Sequence, residues 1–192
     1  MRDGIVLRPA RDDDSDQVIA LIDAVYGEYP GCILDVDDEN PELRRPASHY
    51  VALGGRAWVA ERNELIVGMA AYRPVPGPAL EVQKLYVAAT VRRRGLAKRL
   101  LALIEDEAPG QNAAFMELWS DTRFEAAHRL YESLGYRRGA EGRTLRDRSG
   151  SREYHYRKDL QSAARARVRV SVGSTIPEFL VDDGKRLVIR CS

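Results

Sequence analysis

Cysteine and histidine are too scarce in this chain to carry the usual metal or redox chemistry. Two cysteines, Cys32 and Cys191, and three histidines, His49, His128 and His155, are spread over 192 residues. Two thiols build neither a disulfide framework nor a four-thiolate zinc site, and the histidines lack HExxH spacing. No metal is expected. Long apolar runs are missing too. Stretches such as Leu65-Ile66-Val67-Gly68-Met69-Ala70-Ala71-Tyr72 fall far short of the roughly 20 residues of a membrane helix. The start, Met1-Arg2-Asp3-Gly4-Ile5-Val6, has no run of the kind a secretory signal needs. The expectation is a soluble, cytoplasmic globular protein without a membrane partner.

A core is affordable, with 44% hydrophobic and 31% charged residues. The net charge of +1 hides a polarity. Residues 1–50 hold 12 Asp or Glu against five Arg, a net of −7, so the remainder carries +8. Such a distribution suits one cationic and one anionic ligand, or is simply solvated surface charge.

Patterning sets the order of elements. Ile5 to Pro9 reads as a short strand. Val18, Leu21, Ile22, Val25 and Tyr26 make one helical face behind Asp12, Asp13 and Asp14, which suit its N-terminus. A breaker-rich loop follows, then an acidic stretch and a short helix near Pro46. Residues 56–61 and 65–72 read as a hairpin across a three-residue turn, with Pro74 to Pro78 as the next loop. Leu80 to Val87 is a strand leading to a helix with Ala97, Leu100, Leu101, Ile104 and Ala108 inward. Ala114 to Trp119 is a strand; a second helix follows with Phe124, Ala127, Leu130, Tyr131 and Leu134 inward. Residues 136–138 and 153–160 close the sheet. His128 falls one residue off that inward face and reads as a surface residue, Trp119 as core with a pocket wall as the alternative, and Ser120-Asp121-Thr122 as a helix cap. The order βα(α)βββαβαββ predicts an α/β fold, with helices flanking a mixed, partly antiparallel central sheet.

The most informative stretch is Leu85-Tyr86-Val87-Ala88-Ala89-Thr90-Val91-Arg92-Arg93-Arg94-Gly95-Leu96-Ala97. A strand runs into a basic, glycine-containing turn that opens a helix, which gathers free N–H groups and arginines into an anion site. It matches neither GxxxxGK[ST] nor GxGxxG.

Arg92 to Ala97 fits the [Q/R]-x-x-G-x-[G/A] signature, and Ala127-His128-Arg129-Leu130-Tyr131-Glu132-Ser133-Leu134-Gly135-Tyr136 is similar to A-x-x-L-Y-x-x-L-G-[F/Y]. In this order and spacing the two resemble the GNAT superfamily of N-acetyltransferases over roughly residues 4–160. The chain departs from that pattern at Ala89, Arg93 and Phe124, where Pro, Gly and Asn are frequent. The resemblance implies acetyl-CoA as co-substrate, bound by Leu85, Tyr86, Val87, Arg92, Arg93, Arg94, Gly95, Leu96 and Ala97. It implies Tyr131 as the group that assists the departing thiolate, while Glu81, on the core strand, is the candidate base. Glu28 and Tyr29 lie where acceptor-binding residues are usual, a solvated loop being the alternative. The acceptor is expected to be a small, cationic amine, with no nucleic-acid partner. The runner-up is a non-catalytic acyl-CoA-binding module on the same fold.

Residues 161–192 follow the completed pattern of residues 1–160. Arg165-Ala166-Arg167-Val168-Arg169-Val170-Ser171-Val172 alternates with period two, predicting a C-terminal β-rich extension packed on its own domain or across a homodimer.

Overall fold

The computed structural model describes residues 4–160; the expected C-terminal extension and its role in a homodimer lie outside the described residues. Among the described residues seven strands form one sheet: β1 (Val6–Pro9), β2 (Arg56–Arg62), β3 (Leu65–Val75), β4 (Ala79–Val87), β5 (Phe115–Asp121), β6 (Arg137–Thr144) and β7 (Arg152–Asp159). Their spatial order is β1-β2-β3-β4-β5-β7-β6, and only the β4–β5 pair is parallel. That one parallel contact requires a crossover, supplied by α3 (Leu96–Glu107). Helices α1 (Ser15–Tyr26), α2 (Ser48–Ala52) and α4 (Glu125–Ser133) complete the fold. The expected mixed α/β sheet is therefore observed.

β2 and β3 are apolar on both sides because both sides are covered. Ala57, Val59, Met69 and Ala71 pack with Val18, Leu21, Ile22 and Val25 of α1. Trp58, Ala60, Ala70 and Tyr72 pack with Leu96, Leu100, Leu101 and Ile104 of α3. The β2–β3 connection is tighter than the expected three-residue turn: Asn63 and Glu64 both take positive φ (51° and 64°), the twist a two-residue hairpin favours. β3 also runs on through Pro74 to Val75. Its partner β2 ends opposite Tyr72, so the missing proline N–H deprives no neighbour on that side.

The aspartates before α1 do not cap it. They form a 3-10 turn, Asp12–Asp14, and Asp14 accepts from the Arg8 guanidinium and the Arg11 N–H. Asp12 caps a different helix: its carboxylate accepts the Ala47 and Ser48 N–H groups and the Ser48 hydroxyl at the start of α2. These bonds hold the Asp12 pKa below the usual carboxylate range.

His128 corrects the surface reading. It is buried, stacks on Tyr156 at 5.5 Å, and its Nε2–H donates to the Asp121 carbonyl at 3.0 Å. Burial lowers its pKa and keeps the ring neutral. Of the five residues expected inward on α4, only Tyr131 is buried; Phe124, Ala127, Leu130 and Leu134 are half-buried. Ala97 is likewise half-buried, its expected place in the core being taken by Leu96.

Candidate active site

Strands β4 and β5 begin side by side and then part. Their register pairs are Ala79–Phe115, Leu80–Met116 and Glu81–Glu117, and pairing stops there. From Val82 onward β4 has no strand partner on its β5 side, and its free backbone groups border a wedge-shaped cleft. A bulge sits in the same stretch. Ala71 pairs with Gln83 and Met69 with Tyr86, so Lys84 and Leu85 together face Ala70, and Lys84 takes φ 53°. The Lys84 ammonium is tied down by Asn40 Oδ1 at 2.6 Å and Glu42 Oε1 at 2.7 Å.

Two cavities open from the cleft. The first, about 300 Å³, is lined by Leu85, Tyr86, Val87, Arg92, Arg93, Gly95, Leu96 and Ala97 on one wall, with Ala126, Ala127, Leu130 and Tyr131 of α4 opposite. The α4 stripe that resembles a core face in sequence is thus a cleft wall, which explains its half-burial. The second cavity, about 310 Å³, lies on the other side of Tyr86 and Tyr131 and is much more polar. Glu39, Glu42, Glu81, Asp121, Asp147 and Glu153 line it, against Lys84 and Arg143. Both cavities share Leu85, Tyr86, Phe124, Ala127 and Tyr131.

The turn before α3 is shaped for an anion. Arg93 (φ 60°) and Gly95 (φ 77°) are both left-handed, and Gly95 directly precedes the first residue of α3. Such a backbone makes a concave array of N–H groups at the positive end of a helix. A Cβ at Gly95 would meet no heavy atom within 4 Å, so the space over the turn is open. Arg93 and Lys98 also line this cavity and Arg94 does not, although all three are exposed. Replacing Arg93 by Gly should raise stability by about 1 kcal/mol, the cost of a left-handed L-residue, while weakening anion binding. A higher melting temperature with poorer ligand affinity is the expected pair of results.

Arg92 is placed differently. Its Nε donates to the Val87 carbonyl at 2.8 Å, and Nη1 and Nη2 donate to Glu28 Oε2 and Oε1 at 2.5 and 2.7 Å. Glu28 lines neither cavity. Tyr29 packs on Phe124 at 4.7 Å and lines the first cavity, on the side of the Arg92–Ala97 turn, and not the polar one.

Glu81 lies in the second cavity, only 7% exposed, and Arg73 donates to its Oε2 through Nε (3.0 Å) and Nη2 (2.6 Å). Tyr131 is 6% exposed at the junction of the two cavities, and burial raises its pKa, so the phenol keeps its proton. A pair of phenols also borders this junction: the Tyr26 and Tyr86 hydroxyls are 3.2 Å apart.

Three features of the polar cavity go beyond the favoured reading of the sequence. Trp119 is half-buried on its wall, with the Arg143 guanidinium 4.3 Å from the ring centroid. Asp121, expected in a helix cap, makes no cap on α4; it accepts the Arg123 N–H and pairs with the Arg123 guanidinium. The loop after α1 is tied to the β6–β7 loop by Ser149, whose hydroxyl accepts the Ile33 N–H, and by the Arg148 N–H donating to Glu39. Among the described residues no helix is long and apolar enough to cross a membrane, and no cluster of metal-capable side chains occurs.

Comparison with known proteins gives a consistent picture. Human N-acetyltransferase 8 is 33% identical over 96 residues, 47% of this chain and 42% of that protein, so the match spans less than half of the relative. An acetyltransferase of the GNAT family from Staphylococcus aureus Mu50 superposes with a TM-score of 0.70 at 20% identity, covering 82% of this chain and 99% of the other. The acetyltransferase yncA of Salmonella typhimurium, solved with its cofactor acetyl-CoA, gives 0.63 at 20% identity, covering 84% and 97%. At these identities the structural likeness establishes the fold. The family model described as Acetyltransferase (GNAT) family matches residues 19–136, and the chain belongs to that family.

Proposed function

We propose that the protein transfers the acetyl group of acetyl-CoA to the primary amine of a small, cationic acceptor, by direct attack within a ternary complex. The observation that carries this reading is the meeting of two unlike cavities at Tyr86 and Tyr131. One has an apolar wall ending in an anion-shaped turn, which suits a pantetheine arm and its diphosphate. The other is lined by six carboxylates against two basic side chains, which suits an ammonium. The bound yncA relative supports the choice of acetyl donor.

The chemistry follows from what each group can do. An amine of pKa roughly 10 is about 3 pH units from its reactive neutral form at pH 7, on the order of 4 kcal/mol. Glu81, facing the acceptor cavity with Oε1 outside its Arg73 bonds, takes the ammonium proton, directly or through a water. The freed nitrogen attacks the thioester carbonyl, whose oxygen is polarised by a backbone N–H near Tyr86 or Val87. The C–S bond then breaks and the thiolate leaves beside Tyr131.

A thiol-release assay across a panel of amines tests the reading. Glu81→Gln should lower kcat/KM at pH 7 by about 10²–10⁴-fold and recover at high pH, where neutral amine is abundant. Added salt should slow the reaction of the native enzyme by screening the acidic cavity. Preference for a neutral or anionic acceptor would overturn the assignment.

A further inference from the structure

The Glu28–Arg92 pair joins two parts of the molecule that hold different ligands in the function proposed above. Arg92 belongs to the turn that opens α3, and Glu28 lies two residues beyond the last residue of α1. The end of α1 and the turn after it contribute to both cavities: Val25 and Tyr29 line the first, Tyr26 and Cys32 the second. Tyr26 also touches Tyr86, one of the residues the two cavities share, through the 3.2 Å hydroxyl contact.

The geometry is unusual for a surface ion pair. Most exposed pairs hold two mobile side chains and stabilise little. Here Glu28 and Arg92 are about one-third exposed, both carboxylate oxygens are engaged by the guanidinium fork, and the third Arg92 donor is fixed on the Val87 carbonyl. The guanidinium thus bridges the end of β4, the phosphate turn and the end of α1. Three of the five guanidinium N–H groups of Arg92 are spoken for within the protein.

We propose that Glu28 and Arg92 form a positioning clasp which couples the acetyl-CoA turn to the acceptor wall. This rests on the proposed function, because the clasp matters only if the two cavities hold the two substrates. Arg92 then acts through the shape of the turn. Seating of one ligand stiffens the clasped turn, and the wall of the other cavity is held with it. Linkage makes that effect mutual.

Glu28→Gln, Arg92→Gln and the double variant separate a clasp from a ligand contact. Acetyl-CoA affinity is read by calorimetry without acceptor, acceptor KM and kcat by steady-state kinetics, and folding by thermal melts. A clasp requires Glu28→Gln and Arg92→Gln to weaken acetyl-CoA binding alike, by about 5- to 30-fold. The double variant should be no worse than either single one. Acceptor KM should rise in both single variants while kcat at saturation changes little. Glu28→Asp, which keeps the charge but shortens the reach, should fall between native and Glu28→Gln. If Arg92 touched phosphate itself, Glu28→Gln would leave binding unchanged or tighten it by freeing the guanidinium; that result overturns the clasp, as would additive losses. A lowered melting temperature with native affinity and KM would reduce the pair to a fold contact and overturn it too. Native protein that binds no acetyl-CoA would overturn the functional reading itself, and the clasp with it.

Discussion

Gly95→Val is expected to abolish measurable acetyl-CoA binding while leaving the sheet and helices in place. The cause is local and has two parts. Gly95 sits at φ 77°, and a β-branched residue is strained there by roughly 1–2 kcal/mol. Relief of that strain would turn the backbone out of the left-handed region and scatter the N–H groups that the turn gathers at the start of α3. The side chain would also occupy the open space in which a Cβ meets no protein atom within 4 Å. That openness is why the fold should survive: nothing in the protein has to move aside. Calorimetry should show no heat of binding from a protein with a native circular dichroism spectrum. Native affinity in that variant would mean that the diphosphate lies elsewhere.

The second large effect is expected at Tyr131. Tyr131→Phe should reduce kcat by about 10²–10⁴-fold with acetyl-CoA affinity retained, because the ring still fills the apolar junction. A phenol of pKa ~10 gives its proton to a thiolate of pKa ~8.5 only uphill, by about 2 kcal/mol. Burial raises the Tyr131 pKa further, and it acts on the departing thiolate in the same direction. A hydrogen bond that strengthens as charge develops on sulfur fits this environment better than complete transfer. The phenol ionises only above its ordinary range. The Tyr131-dependent rate should therefore stay flat through neutral and moderately alkaline pH, unlike the Glu81-dependent limb. Full turnover by Tyr131→Phe, measured by thiol release, would make the tyrosine a packing residue.

The periodicities of α1 and α3, the strand pattern and the turn at Arg92–Ala97 were legible because each rests on local chemistry. Period and end signals are written in neighbouring residues. What stayed hidden depends on contacts between distant segments. The apolar stripe of α4 has the same spacing whether it faces a core or a cleft, so Ala127 and Leu130 could not be told from buried residues. His128 is drawn inside by the Asp121 carbonyl and the Tyr156 ring, neither of which the helical pattern reveals. The Lys84 bulge leaves no mark in the run Leu80 to Val87, since the alternation breaks in space and not in composition. Arg92 and Glu28 were each readable as ligand groups, and only the fold shows that they spend their charge on one another. Glu81 stood out by its strand position, but its Arg73 partner comes from the neighbouring strand, in register across β3 and β4.

The β4–β5 ladder is only three register pairs long, from Ala79–Phe115 to Glu81–Glu117. Mechanically the sheet is two stiff plates welded along one short corner, reinforced by the Ala114 and Phe115 N–H groups that both point to the Pro78 carbonyl. The width of the opening is then an angle set at the weld. Residues around Pro78 and Ala114, which line neither cavity, sit at the vertex of that angle. Any rotation at that corner would change the separation of Tyr86 on β4 from Trp119 on β5.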